Sequence, residues 1–277
     1  MVNTKTPDFS SILTEAAFQV LIEVFYLLKE FENSLILVGG WAPILLLPDA
    51  SEKHVGTVDV DIAIDGRALS ESGSKTIEDI LLGNGYLPGG EPGRYIRTIK
   101  IKEQEIDVPV DFLVGEHGFL PDNELFDITG VRPITAPGSD LAFDSYEKIK
   151  IEGKLQNGSK YSAEIKSASI VSFLVMKAHV LNVREKSKDA YDIWFCLANH
   201  PDGIESIATA FEPHLGRNSV KIAFSIMAEY FSDVKAKGPE MVIEEEGTKD
   251  PELREFLRQD AYQRVNDLLQ RLNRRSG

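Results

Sequence analysis

The chain carries a single cysteine, Cys196, in 277 residues. An internal disulfide is thereby excluded, and a reducing, cytoplasmic setting is expected. Alone on a stretch with helical pattern, Cys196 reads as core filling, not as a reactive thiol. Long apolar runs are missing too; none approaches the roughly 18 residues that a membrane span needs. The N-terminal "MVNTKTPDFSS" has no basic start followed by an apolar core, so no secretion signal is expected. Basic charge is in deficit: 30 Lys and Arg face 44 Asp and Glu, a formal net charge of −14. That balance argues against a general nucleic-acid coat, because phosphate binding needs clustered cations. It leaves room for an RNA gripped by a local patch. Internal repeats and low-complexity tracts are absent. What is present is an ordinary globular composition, long enough for one large domain or two small ones.

The hydrophobic pattern changes along the chain. From about residue 10 to 31 apolar side chains recur at helical spacing. "SLILV" (34–38), bounded by two glycines, reads as a buried strand, and "WAPILLL" after them as a short helix with Pro43 near its first turn. "TVDVDIAI" (57–64) reads as a strand, "SKTIEDILLGNGY" as a helix, and "RYIRTIKIK" and "EIDVPVDFLV" as strands, with Pro109 marking a bulge or edge position. Loops with short elements are expected over about 115–145. "SYEKIKIEGKLQNGSKYSAEIKSA" reads as a hairpin turning at Asn157-Gly158. Beyond 166 the pattern is helical. Residues 235–251 read as a charged linker, and the last helix opens with Asp250 as N-cap and Pro251 in its first position. The expected fold is therefore α+β, with a mixed-sheet domain over 1–166 and a helical domain over 167–277.

Two aspartates interrupt an apolar strand pattern. Alternation places Val58, Val60, Ile62 and Ile64 on one face, and Asp59 and Asp61 on the other, about 7 Å apart. In "IDVPVDFLV", Val108, Val110, Phe112 and Val114 share a face and Asp111 lies opposite. If the strands are neighbours, three carboxylates converge. Unpaired burial of three like charges is costly. A hard divalent cation such as Mg²⁺ relieves that cost, and two such ions would clamp a phosphoryl displacement. Taken alone, a D-x-D pair fits equally well the solvated face of a half-buried sheet. Likewise Gly39-Gly40 fits a plain strand-to-helix turn as well as a phosphate cradle.

The ordered set "GGWA…TVDVDI…VPVDFLV" resembles the nucleotidyltransferase superfamily typified by DNA polymerase beta. That resemblance implies that Asp59, Asp61 and Asp111 hold two Mg²⁺ ions and that Asp111 is a candidate base for the acceptor hydroxyl. It implies that Gly39, Gly40 and Thr57 lie at the triphosphate of an NTP. Trp41 stands where polymerase-like members have Ser, and is expected to pack beneath the site. Relatives often carry Arg two residues before the motif threonine. Val55 occupies that position here, so the missing cation would come from elsewhere, with Arg94 and Arg97 as candidates.

A second set lies further on. Ile170, Leu174, Lys177 and Leu181 fall on one helical stripe, so Lys177 either snorkels outward or reaches toward an anion. Ser187 can cap a helix whose Lys188 and Asp192 share a face, with Asp189 in the first turn. An ordinary solvated helix start would look the same. The string from Lys177 through Arg184 to Lys188, Asp189 and Asp192 resembles the C-terminal signature of AbiEii/AbiGii-type nucleotidyltransferases, the toxins of toxin–antitoxin and phage-defence pairs. The resemblance implies catalytic roles for Lys177 and Asp192, with Lys177 and Lys188 contacting nucleotide. It also implies a tRNA or other macromolecular acceptor and a cognate antitoxin. Arginines of the final helix offer a grip for an RNA, or simply complement the helix C-terminus. Two other functions fit parts of the pattern. "GGWA" with D-x-D also resembles antibiotic-modifying nucleotidyltransferases, and a non-catalytic binding partner could retain the fold.

Overall fold

The computed structural model describes residues 11–50, 53–69, 75–116 and 122–275. The first ten residues, read above for a secretion signal, lie outside them, as does Ser74 at the start of one expected helix. The chain divides into two compact units. One comprises Met1–Pro48 with Val55–Ser169; the other comprises Asp49–His54 with Ile170–Gly277.

The first unit opens with helix α1 (Ile12–Leu27), capped by Ser11, whose hydroxyl accepts from the Thr14 amide at 3.2 Å. Strand β1 (Leu35–Val38) and helix α2 (Trp41–Leu46) flank the glycine pair. Then come β2 (Val60–Ile64), α3 (Ile77–Gly83), β3 (Leu87–Pro88), β4 (Arg94–Ile101) and β5 (Gln104–Val114). The unit continues with α4 (Asp122–Thr129), β6 (Ile134–Thr135), α5 (Asp140–Asp144) and the hairpin β7 (Tyr146–Lys154) with β8 (Lys160–Ala168). The strands form one mixed sheet in the order β3-β4-β5-β2-β1-β8-β7, with β6 against the end of β5. β1 runs antiparallel to β2 and parallel to β8, and β2 runs parallel to β5.

One face of this sheet is apolar because the pleat alternates. Leu35 and Leu37, Val60, Ile62 and Ile64, Val108, Val110 and Phe112, and Ile149, Ile151 and Ile165 join the α1 side chains in a single buried cluster. Pro109 sits where β5 pairs with β4 but β2 has not yet begun, a position that tolerates its missing N–H.

One expected strand is shorter than its pattern. β2 begins at Val60, so Thr57, Val58 and Asp59 belong to the approach, and Val58 is 48% exposed instead of facing the core. The approach is held from below by Trp41, fully buried, whose indole N–H donates to the Asp59 carbonyl at 2.9 Å. Alternation cannot report this, because a fixed turn side-chain contact has replaced the ladder.

The second unit is helical: α6 (Ile170–Arg184), α7 (Ser187–Asn199), α8 (Gly203–Phe211), α9 (Asn218–Tyr230), α10 (Lys237–Glu246) and α11 (Pro251–Arg275). The linker expected over 235–251 is corrected by α10. Met241, Val242 and Ile243 are buried, Pro239 lies in the first turns, and Gly247 closes the helix in the left-handed conformation with φ +72°. Its charged residues mask a short apolar stripe that packs on α7. α11 starts as expected, with the Asp250 carboxylate accepting from the Glu252 amide at 2.9 Å. Ser187 is not a cap; it is the first residue of α7 and donates to Glu244 at 2.6 Å. Cys196 is fully buried. Among the described residues, no helix is long and apolar enough to cross a membrane.

Close packing of α1 on the sheet can be measured at Gly153 of β7, where an added Cβ would lie 2.7 Å from Ile22 Cγ1. Gly153→Ala is expected to cost about 1–3 kcal/mol in urea unfolding. Combining it with Ile22→Ala should cost less than the sum of the two single changes, as a double-mutant cycle would show.

Candidate active site

At the centre of the sheet, register brings the acidic residues together. Val38 of β1 pairs with Asp61 of β2, and Asp61 pairs with Asp111 of β5. Paired residues share a face, so Asp61 and Asp111 stand side by side on the face opposite the core, on strands about 4.8 Å apart. Gly39 follows Val38 with φ +68°, and a Cβ on it would overlap the Asp61 carboxylate. A Cβ on Gly40 would lie 2.7 Å from Thr57 Oγ1. The glycine pair is therefore required by its own neighbours: the turn lies directly against Asp61 and Thr57. Thr57 in turn donates to Asp59 Oδ1 at 2.6 Å. Gly39, Gly40, Thr57, Asp59 and Asp61 thus form one contiguous cluster, and Asp111 is the strand neighbour of its last member.

Asp111 is not left to the other acids. Arg94, its cross-strand partner on β4, donates from Nε to Oδ1 and from Nη2 to Oδ2, both at 2.7 Å. Arg94 also pairs with Glu91 at 3.1 Å, while Arg97 forks onto Glu23 at 2.8 and 3.0 Å. Of the two arginines considered as substitutes for the missing cation, Arg94 therefore lies at the carboxylates and Arg97 is engaged elsewhere. Sequence reading missed the Arg94–Asp111 fork. The available signal was a count: Arg94 lies eight residues before Lys102, and Asp111 eight after Glu103, across a two-residue turn. That turn has φ +46° and +67° without a glycine or asparagine, so nothing in its composition announces it.

The donor chemistry of Asp59, Asp61 and Asp111 suits a hard divalent cation, which prefers carboxylate oxygens. As the side chains stand, no group of three His, Cys, Asp or Glu among the described residues is arranged to hold a metal ion. The acids fit such an ion on condition that Arg94 gives up the oxygens of Asp111.

In the helical unit, the second set of expected residues forms a buried ionic knot. Lys177, only 6% exposed, lies 2.8 Å from Asp189 Oδ1 and 2.6 Å from Asp192 Oδ2, and both aspartates are fully buried. Arg184 forks onto Asp189 at 2.8 Å on each arm. His54 Nε2 lies 2.8 Å from Asp192 Oδ1, with its ring edge-on to Phe195. Two cations face two carboxylates, so the knot balances its own charge. Burial would push Lys177 down, but Asp192 and Asp189 outweigh it and hold the ammonium well above its ordinary range. Burial would raise Asp192, and Lys177 and His54 outweigh that and hold it well below the usual carboxylate range. Lys188 is half-buried on the same helix and adds to that depression. Lys177 neither snorkels nor stands as an open anion site, and the start of α7 is not a solvated one.

Four of the six arginines of α11 are engaged in ion pairs as well. Arg258 pairs with Glu240 and Glu255, Arg264 with Asp260, Arg271 with Asp267 and Glu205, and Arg275 with Glu212 and Glu205. These four do not amount to a stripe of unopposed positive charge.

A strand, a glycine pair pressed on an aspartate, and a second aspartate in register on the next strand together make an acidic cluster on the open face of the sheet. Residues 26–274 match the family described as nucleotidyl transferase AbiEii toxin, type IV toxin–antitoxin system, and the chain belongs to that family. No curated protein matches the chain. No solved structure matches it either. The enzyme is thus a nucleotidyl transferase of a toxin family, and membership implies an antitoxin partner and an NTP substrate.

Gly39→Ala should displace the Asp61 carboxylate and strain the turn, lowering transferase activity far more than the thermal midpoint; parallel assays and melts check this. In the knot, burial is the largest influence on His54 and lowers its pKa below the ordinary 6.5, against the pull of Asp192 and with Lys188 and Lys177 assisting. The unfolded chain therefore takes up a proton that the folded chain resists. The stability this contributes is full above pH 6.5 and falls as the pH drops through it, and His54→Gln should shrink that limb in a plot of urea midpoint against pH, leaving the share of His200, which burial also holds low. Asp189 and Asp192, both held low, add a second loss below their ordinary 3.8.

Proposed function

We propose that this transferase moves a nucleoside monophosphate from an NTP to a macromolecular acceptor such as tRNA, at the acidic face of the sheet unit. The observation that carries the reading is the register Val38–Asp61–Asp111 beside a glycine turn that touches Asp61. Asp59, Asp61 and Asp111 would hold a divalent cation, Mg²⁺ being the ion whose preferences match carboxylate and phosphate oxygens. When bound it supplies Lewis-acid polarisation and neutralises phosphate charge.

The chain's own residues do the rest. Gly39 and Gly40 leave room for a triphosphate to approach the backbone beside Asp61, and Thr57 orients Asp59 through its 2.6 Å hydrogen bond. The acceptor hydroxyl oxygen attacks the α-phosphorus. The new oxygen–phosphorus bond forms as the bond to the bridging oxygen of the β-phosphate breaks, and pyrophosphate carries away the electron pair. The hydroxyl proton passes to a carboxylate, for which Asp111 is the candidate. In the helical unit, Lys177 and Asp192 work as a bonded pair in this reading. A role for Lys177 at the nucleotide requires it to exchange one of its two carboxylates for phosphate.

The test uses purified protein, Mg²⁺, total RNA and each NTP labelled at the α- or the γ-phosphate, with Asp59→Ala in parallel. Transfer of α-label to RNA, reduced at least about a hundredfold in the variant, is the expected result. Transfer of γ-label alone would mean phosphoryl transfer and overturn the mechanism. Label on a small cationic acceptor and none on RNA would shift the reading to a small-molecule transferase.

A further inference from the structure

Arg94 occupies an unusual place. It is the first residue of β4 and the cross-strand partner of Asp111, so the two side chains share the acidic face. Its fork meets both Asp111 oxygens at 2.7 Å, the geometry of a bidentate, charge-assisted pair. The backbone on either side fixes the arm that carries it. The Gly89 amide donates to the Arg94 carbonyl at 2.8 Å, and a Cβ on Gly89 would overlap the arginine stem. Gly93, at φ +71°, lets the chain turn against the Phe112 carbonyl immediately before Arg94. The environment is asymmetric. Asp111 is 8% exposed, whereas the Arg94 side chain is 31% exposed, so the arginine can leave for solvent and the carboxylate cannot. Asp59 also acts on Arg94 electrostatically and, behind Asp111, favours the charged guanidinium.

We infer that Arg94 is an exchangeable counter-ion: it holds Asp111 in the cation-free protein, yields it when a divalent cation enters, and then offers its freed fork to the triphosphate. This rests on the proposed role of the three aspartates. The physical reason is substitution of like for like. A partly buried carboxylate beside two others needs a positive partner in every state, and one guanidinium or one cation can satisfy it, but the oxygens cannot fully serve both. The released guanidinium, which also pairs with Glu91 through Nη1 at 3.1 Å, has Nε and Nη2 freed, and phosphate oxygens match that planar fork. Cation and nucleotide binding become coupled through one side chain: each makes the other's site available. Arg94 in this account acts on Asp111 in the cation-free protein and on the triphosphate once the cation is bound.

The experiment measures Mn²⁺ binding by the loss of the free-ion electron paramagnetic resonance signal, with full-length wild type, Arg94→Gln, Asp59→Ala, Asp111→Asn and the double variant of Arg94→Gln with Asp111→Asn, each with and without a non-hydrolysable NTP analogue. Wild type should bind Mn²⁺ weakly alone and more tightly with the analogue. Arg94→Gln should bind Mn²⁺ alone about tenfold more tightly than wild type and lose most of the gain from the analogue. In the Asp111→Asn background the Arg94 substitution should have no effect. Because Arg94→Gln leaves a buried carboxylate unpaired, Arg94→Lys is measured beside it. Keeping the charge without the fork, it should fall between the two, and thermal melts confirm folding of each. Asp59-dependent Mn²⁺ binding that Arg94→Gln and Arg94→Lys leave unchanged or weaken would overturn the inference alone. Absence of any Asp59-dependent binding would overturn the metal role of the aspartates and the inference with it.

Discussion

Like charge held at close range is the constraint on which the rest of this structure depends. The strand register places Asp61 beside Asp111, with Asp59 on the approach. Every nearby feature answers to that placement. Glycine stands at 39 because any side chain there would meet Asp61, Thr57 fixes Asp59, and Arg94 holds Asp111. An ordinary half-buried sheet would let three such acids point into water. Here Asp111 is nearly covered, so its charge needs a partner.

The helical unit meets the same problem with a different answer. Its aspartates are buried completely, and two cations and a histidine are placed around them. Removing one member of such a group leaves a buried charge uncompensated, which is costlier than the group is stabilising. In the sheet unit the partner of Asp111 is a half-buried arginine; in the helical unit Lys177 is buried together with its two carboxylates. Both sets contain carboxylates taken wholly or partly out of water, and they differ in how that charge is satisfied.

Much of this was legible in the sequence, and the exceptions have physical causes. Strands β1, β5, β7 and β8 and the terminal helix follow from alternation, helical period and capping residues, because one face of each is buried against a core. Gly39, Asp61 and Asp111 are brought together as their pattern predicts. Four features escaped. The approach at 57–59 is set by a hydrogen bond from Trp41 and not by pleating. Helix α10 hides three buried apolar residues among glutamates and lysine. The Arg94–Asp111 pairing depends on a turn at Lys102-Glu103 whose residues carry none of the usual preferences for positive φ. The ionic knot escaped for a further reason: spacing can put Lys177 on an apolar stripe, but only tertiary packing decides what it meets.

The excursion of residues 49–54 into the helical unit has a consequence for how the protein is made. His54 and its partner Asp192 are 138 positions apart in the chain. At translation speeds of about 5–20 residues per second, the histidine waits for roughly ten seconds before the aspartate leaves the ribosome. During that interval the whole of 55–169 emerges, including every strand from β2 to β8. The sheet can therefore be completed while the helical unit still lacks its last pieces. The last strand, β8, ends 24 residues before Asp192, so a newly made chain can hold its acidic face in finished form about one to five seconds before the knot around Asp192 is tied.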